Sequence, residues 1–268
     1  MRISIVTIFP DMFPPALSEG MIRAARDCGV LDVEVVNLRE FTKDKHRSTD
    51  DYPFGGGVGM VMMLEPIFQA VEACCSDSAG RHVVLLTPQG KPFQQADAMR
   101  LAGLQHVVLL CGRYKGVDER VSQRLVDEEL SLGDFVLSGG EPAALCVVDA
   151  VARLLPGVLG DFYSAESDSF HSGLLDCAYY TRPADFRGWK VPDVLLSGDH
   201  GRIARARREE SLRRTLERRP ELLDRAPLSE ADRQYLRTLT GEPAPDADSP
   251  RAGRPRRRGA TDAPKERR

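Results

Sequence analysis

Short apolar runs bounded by turn residues constrain this chain most. Residues 2–9 (RISIVTIF), 82–87 and 107–111 are continuous rather than alternating, and residues 30–38 (VLDVEVVNL) also have strand character. Runs of that length with no polar face fit strands buried on both sides, as in a parallel sheet. Helical patterns near residues 14–28, 64–75, 92–102 and 117–129 lie between and after them. Strands alternating with helices predict an α/β fold built on a parallel sheet.

The clearest helix covers residues 142–155 (PAALCVVDAVARLL). Gly139 and Gly140 precede it, and Pro142 suits its first position. Ala144, Leu145, Val148, Val151, Ala152 and Leu155 share one apolar face, and Pro156-Gly157 stop the helix. A polar, aperiodic stretch follows over 160–172. Residues 199–240 have mainly helical character and are rich in arginine, with eight arginines against three glutamates between 200 and 219. Beyond 241 the chain is Pro, Ala, Asp and Arg, a composition that cannot bury a core, so a disordered tail is expected there.

With 268 residues the chain has room for one or two domains and a real core. No apolar run approaches the roughly 18 residues of a spanning helix, and the apolar start stops at Phe9-Pro10, too early for a secretory leader. None of the six cysteines makes a C-x-x-C pair, and Cys111 and Cys146 lie in apolar stretches expected to bury them. The five histidines have no metal spacing, so no metal site is expected and the pattern suits a reduced cytoplasm. Charge divides unevenly: residues 1–181 carry 15 Lys and Arg against 25 Asp and Glu, residues 182–268 carry 22 against 15. A basic second half suggests a polyanionic partner, with solvated surfaces of opposite sign as the simpler reading.

Several segments could carry chemistry. Residues 50–60 (DDYPFGGGVGM) hold four glycines in five positions, yet match neither a Walker loop nor the dinucleotide fingerprint. Residues 87–90, 111–116 and 132–141 are three glycine-containing segments that end apolar runs. In open α/β sheets ligands sit at such carboxyl ends of strands. Arg153 could pair with Asp149 one turn earlier or serve as a functional cation. Asp168 and Asp176 could cap turns or act as carboxylates. The arginines of 202–219 exceed their glutamate partners, which favours phosphate contacts.

Taken together, these segments resemble the bacterial tRNA (guanine-N1)-methyltransferase family. The matching stretches are VTIFPDMF (6–13), DDYPFGGGVGMVM (50–62), TPQGKPF (87–93), CGRYKGVDERV (111–121), ELSLGDFVLSGGE (129–141), DAVARLLPGVLG (149–160), DSFHSGLLDCAYYTRP (168–183) and VLLSGDHGRIARAR (194–207). The resemblance implies a SPOUT-like α/β domain, a parallel sheet with a deep trefoil knot, plus a small helical C-terminal domain. The implied boundaries are 1–160 for the knotted domain, 161–175 for a mobile linker, 176–241 for the tRNA-binding domain and 242–268 for a basic tail.

It also implies methyl transfer from S-adenosylmethionine to N1 of guanine 37 of tRNA, by a cytoplasmic homodimer whose active sites draw on both chains. Carried over by position, Pro88, Gly112, Tyr114, Gly139 and Gly140 would line the cofactor pocket. Leu132, Gly133, Asp134, Phe135, Val136 and Leu137 would complete it. Asp168 would be the general base, Arg153 the cation for the developing charge on O6, and Asp176 a supporting group. The family carries glutamate where this chain has Lys115, which puts its magnesium dependence in question here; it also carries Gly-Gly-Glu-Leu-Pro where this chain has Gly140-Glu141-Pro142. A non-catalytic RNA-binding protein and a ribose 2′-O-methyltransferase on the same scaffold are the competing readings.

Overall fold

The computed structural model describes residues 1–74, 80–158 and 168–241. Residues 161–167 of the expected linker, and the expected tail over 242–268, lie outside the described residues. The chain divides into two compact units, residues 1–176 and the part from Cys177 onward.

The first unit runs β1 (Arg2–Thr7), α1 (Pro14–Leu17), α2 (Gly20–Asp27), β2 (Asp32–Asn37), β3 (Asp50–Asp51), β4 (Val61–Met62), α3 (Leu64–Cys74), β5 (Arg81–Pro92), α4 (Gln95–Ala102), β6 (His106–Cys111), α5 (Glu119–Arg124), β7 (Glu128–Ser131) and α6 (Glu141–Ala152). Five strands form one sheet in the order β2-β1-β6-β5-β7, every pair parallel. Alternate residues of each strand enter opposite cores. Ile3, Ile5, Val84, Leu86, Val107 and Leu109 pack with residues of α2, α4 and α6. Val6, Val83, Leu85, Val108 and Leu110 pack with residues of α3 and α5. Burial on both faces is why these strands carry unbroken apolar runs.

Three elements depart from expectation. The helix expected over 117–129 is only α5, and the chain then joins the sheet edge as β7. Asp118 caps α5 by accepting from the Arg120 N–H at 3.0 Å. Asp127 docks on β5, its N–H donating to Val83 O at 2.9 Å and its Oδ2 accepting from Val83 N–H at 2.7 Å. Glu128 meets Arg100 at 2.7 Å and His82 at 2.8 Å. Burial works against that carboxylate's charge, but those hydrogen bonds outweigh it and hold its pKa below the usual value. Strand β5, expected to end at Thr87, continues to Pro92. Leu86 and Lys91 both stand opposite Leu130, so residues 87–90 form an excursion from the ladder. Cys146, expected to be buried, is exposed. It lies two positions from buried Val148, about 200° around α6 at 3.6 residues per turn, so it faces away from the apolar stripe.

The second unit holds the hairpin β8 (Asp185–Phe186) and β9 (Trp189–Lys190), then α7 (Asp193–Leu196), α8 (His200–Arg218) and α9 (Glu230–Thr240). Leu212 and Thr215 of α8 are fully buried. Arg208 binds Asp232 of α9 with two hydrogen bonds, at 3.1 and 2.9 Å. Asp232 also closes a capping box with Ser229. The Arg208 guanidinium and the Ser229 cap outweigh burial and lower the Asp232 carboxyl from 3.8 to about 2. A depressed folded-state pKa contributes stability above the unfolded value that is lost as pH falls through the folded one. Acid unfolding followed by circular dichroism should therefore show a smaller loss in Asp232→Asn than in the parent as pH falls from about 4 to about 2. Equal slopes in that window would mean the pair contributes nothing.

Beyond Arg208, some arginines of α8 are ion-paired and others are not. Arg213 and Arg214 pair with Glu210 at 2.7 and 2.9 Å, and Arg213 also reaches Glu217 at 2.7 Å. Arg202, Arg205 and Arg207 are exposed and form no ion pair among the described residues. Among the described residues no helix is long and apolar enough to cross a membrane.

Candidate active site

A cavity of about 320 Å³ opens at the excursion of β5 and the ends of β6 and β7. Its walls come from residues 85–89, 112–117, 131–132 and 135–140, with Ala143 from α6. These are the three turns singled out in the sequence. Pro88, Gly112, Tyr114, Leu132, Phe135, Val136, Leu137, Gly139 and Gly140 are on the wall. Gly133 and Asp134 belong to the same loop but are not on it. Ser131 shapes that loop, its hydroxyl accepting from the Gly133 N–H at 3.2 Å and donating to Gly133 O at 3.1 Å.

Gly112, Gly116, Gly139 and Gly140 stand on the wall, and sterics require glycine at two of them. Gly140 N–H donates to Gly112 O at 2.9 Å. A Cβ on Gly140 would sit 2.8 Å from Cys111 Cα and 3.1 Å from Gly112 N, inside contact distance of backbone that cannot move aside. Gly139 bridges Arg113 in antiparallel fashion, and a Cβ there would overlap the Arg113 side chain. Only glycine lets the two loops close on one another.

Behind the wall lies a buried ionic cluster that local sequence does not reveal. Glu141, the first residue of α6, is fully buried. Thr7 Oγ1 donates to its Oε1 at 2.8 Å, and Arg113 Nε donates to its Oε2 at 3.1 Å. The Arg113 guanidinium also stacks on Phe9, 4.2 Å from the ring centre. Burial pushes the Cys111 thiol up, with the Glu141 carboxylate adding to the effect, so Cys111 acts as an inert apolar side chain. Thr7, Arg113 and Glu141 come from three separate segments, and no spacing rule joins them.

The glycine-rich segment is the exposed tip of a hairpin whose returning end docks on residues 115 and 116. β3 and β4 pair antiparallel and leave residues 52–60 as the connection. Lys115 N–H donates to Met60 O and Met62 N–H to Gly116 O, both at 3.0 Å. The Lys115 stem runs under Gly59, where a Cβ would lie 3.0 Å from its Cγ. Tyr114 takes a left-handed backbone, φ +60°. Burial first, then the Asp50 carboxylate that its hydroxyl approaches, raises its pKa above the usual value.

Arg153 follows α6 directly and binds Asp168, Nη2 to Oδ2 at 2.5 Å. Both side chains remain about two-fifths exposed, at 38% and 39%. Asp149, the partner available one turn back, forms no ion pair with Arg153 among the described residues. Asp176 N–H donates to Ser169 Oγ at 2.9 Å, bringing the segment that carries Asp176 beside the residue after Asp168. Leu174 is buried. Arg153, Asp168 and Asp176 are thus drawn together, but none of the three is on the cavity wall of this chain. Among the described residues no group of three His, Cys, Asp or Glu side chains is placed to hold a metal.

Comparison with known proteins places these features in one family. A family model described as tRNA (Guanine-1)-methyltransferase TrmD matches residues 1–225. A tRNA (guanine-N(1)-)-methyltransferase of Geobacillus kaustophilus (strain HTA426) is 52% identical over 237 residues, covering 88% of this chain and 97% of the relative. A protein of the same description from Dehalococcoides mccartyi (strain ATCC BAA-2266 / KCTC 15142 / 195) is 50% identical, covering 91% and 99%. Another from Moorella thermoacetica (strain ATCC 39073 / JCM 9320) is 51% identical, covering 90% and 97%. The chain belongs to the tRNA (guanine-N1)-methyltransferase family.

Proposed function

We propose that this chain methylates N1 of guanine 37 in tRNA, with S-adenosylmethionine held in the glycine-walled cavity. The observation that carries this reading is the Arg153–Asp168 pair, formed in preference to the Arg153–Asp149 contact that spacing offers. A carboxylate able to take a proton is thereby held against a cation able to face the charge that the proton leaves behind.

The cavity suits the cofactor on its own features. Its volume lies at the lower end of the range for small-molecule sites, and its wall combines main-chain donors and acceptors with Leu132, Phe135, Val136 and Leu137. Leu132 and Leu137 would flank an adenine ring, and the glycines at 112, 139 and 140 would let the wall close around it. Bound there, S-adenosylmethionine supplies an electrophilic methyl group on a sulfonium. The chain's residues do the rest. Neutral guanine carries a proton on N1, and Asp168 removes it as N1 becomes the nucleophile. Arg153 stabilises the negative charge that grows on O6. Asp176, with its main chain tied to Ser169, supports the loop that presents Asp168. Among the described residues of one chain the cavity lining contains Lys115 and no carboxylate, and no step here runs through a metal.

The absence of Arg153, Asp168 and Asp176 from the wall within one chain supports a homodimer in which a second copy presents them. On the family reading, the loops that wall the cavity form a deep trefoil knot. On this reading residues 1–160 form the methyltransferase domain of a cytoplasmic enzyme, 161–175 the linker, 176–241 the tRNA-holding domain and 242–268 a basic tail. The unpaired Arg202, Arg205 and Arg207 would engage phosphates without reading sequence.

The test is a methylation assay on tRNA transcripts with guanine 37 intact or replaced, with the methyl mapped on the product. Methyl on N1 of guanine 37 supports the reading. Methyl on a ribose, or RNA binding with no transfer, overturns it. Arg153→Ala should lower kcat about 100-fold or more, about 3 kcal/mol of transition-state stabilisation. A loss of tenfold or less would return the pair to the status of a surface contact.

A further inference from the structure

The second unit carries an aromatic step that its own packing does not use. Phe186 and Trp189 are direct cross-strand partners flanking the two-residue turn Arg187-Gly188. Both turn residues have positive φ, +56° and +85°, the geometry of a tight hairpin turn. Asp185 Oδ1 accepts from Gly188 N–H, and Val191 N–H donates to Ala184 O, each at 2.9 Å, so the hairpin is fixed at both ends. The two rings stand 6.1 Å apart at 51°. Yet Trp189 is 74% exposed and Phe186 50%. The Arg187 guanidinium lies over the Phe186 ring at 5.1 Å, and Arg182 and Lys190 beside it are exposed.

A rigid, exposed pair of rings overlaid and flanked by cations matches one ligand chemistry well. Unpaired nucleobases stack on aromatic faces while their phosphates pair with arginine and lysine. An apolar protein surface would suit the rings but would strand Arg187, Lys190 and Arg182 without counter-charge. We propose that the Phe186–Trp189 hairpin is a stacking platform for an unpaired base of the RNA substrate. This rests on the reading of the substrate as tRNA and adds where its single-stranded part is held.

Trp189 is the only tryptophan in the chain, so its emission reports on the platform directly. The full-length protein is titrated with a tRNA transcript containing guanine 37, with binding followed in parallel by gel shift. Trp189 emission should be quenched with the same midpoint as the gel shift. Trp189→Ala should weaken tRNA binding roughly five- to 150-fold. Trp189→Phe, which keeps a ring, should bind near the parent level. An unchanged circular dichroism spectrum and melting profile of the alanine variant separate this loss from misfolding of the second unit. The proposal is overturned if tRNA binds without altering the emission, if Trp189→Ala binds as the parent does, or if the emission shifts on protein dilution without RNA, which would mark a self-association surface. Failure of the parent to bind tRNA would overturn the substrate reading as well.

Discussion

Asp168→Ala should abolish turnover on tRNA while leaving S-adenosylmethionine binding within about twofold of the parent. General-base catalysis contributes about 100- to 10,000-fold, so single-turnover methyl transfer should fall by at least that lower figure. The expected stability change is small, because the Arg153–Asp168 pair is 38% and 39% exposed and such pairs contribute about 1 kcal/mol or less. Activity and stability are therefore expected to separate at this residue. Isothermal titration with the cofactor and a quench assay with saturating tRNA measure the two sides. Lost cofactor binding with retained transfer would contradict the assigned role, and a large fall in melting temperature would make Asp168 a structural residue.

Glu141→Ala should have the opposite signature. Glu141 is fully buried, and its two oxygens take hydrogen bonds from Thr7 and Arg113. Removing one partner of a buried ion pair costs about 3–5 kcal/mol, because the other charge is left uncompensated. For a unit of this size that corresponds to a melting point lower by about 10 °C. Arg113 also forms part of the cavity wall, so cofactor affinity should fall with stability. Glu141→Gln keeps the shape and an acceptor for Thr7, and should recover part of the loss. Urea unfolding of the three proteins decides the matter: identical midpoints would mean the cluster is solvated in solution.

What the sequence makes legible follows the physics of burial. Strands β1, β5 and β6 are visible because both faces are covered, so every position carries the apolar signal. Strand β7 hides because Glu128 and Glu129 look solvent-loving, and the partners of Glu128 come from distant chain: Arg100 and His82 both hydrogen-bond to it. Cys146 is misjudged because apolar neighbours in sequence are not neighbours around a helix. The cavity loops are legible as glycine turns, although Gly133 and Asp134 shape the loop without facing the cavity. The Thr7–Arg113–Glu141 cluster leaves no local trace, since its members are separated by 134 and 28 positions. At Arg153 the sequence offers Asp149 by helical spacing, but the helix ends at Ala152 and the side chain meets Asp168 instead.

The main-chain character of the cavity has a consequence for inhibition. A compound packed tightly against Gly139 and Gly140 would rest on two positions that the protein cannot exchange for a larger residue. Any replacement of Gly140 drives a carbon into Cys111, and any at Gly139 into Arg113, so the escape route by point mutation costs the protein its own architecture. Resistance to such a compound would have to arise among the side chains of the wall, such as Leu132, Phe135, Val136 and Leu137.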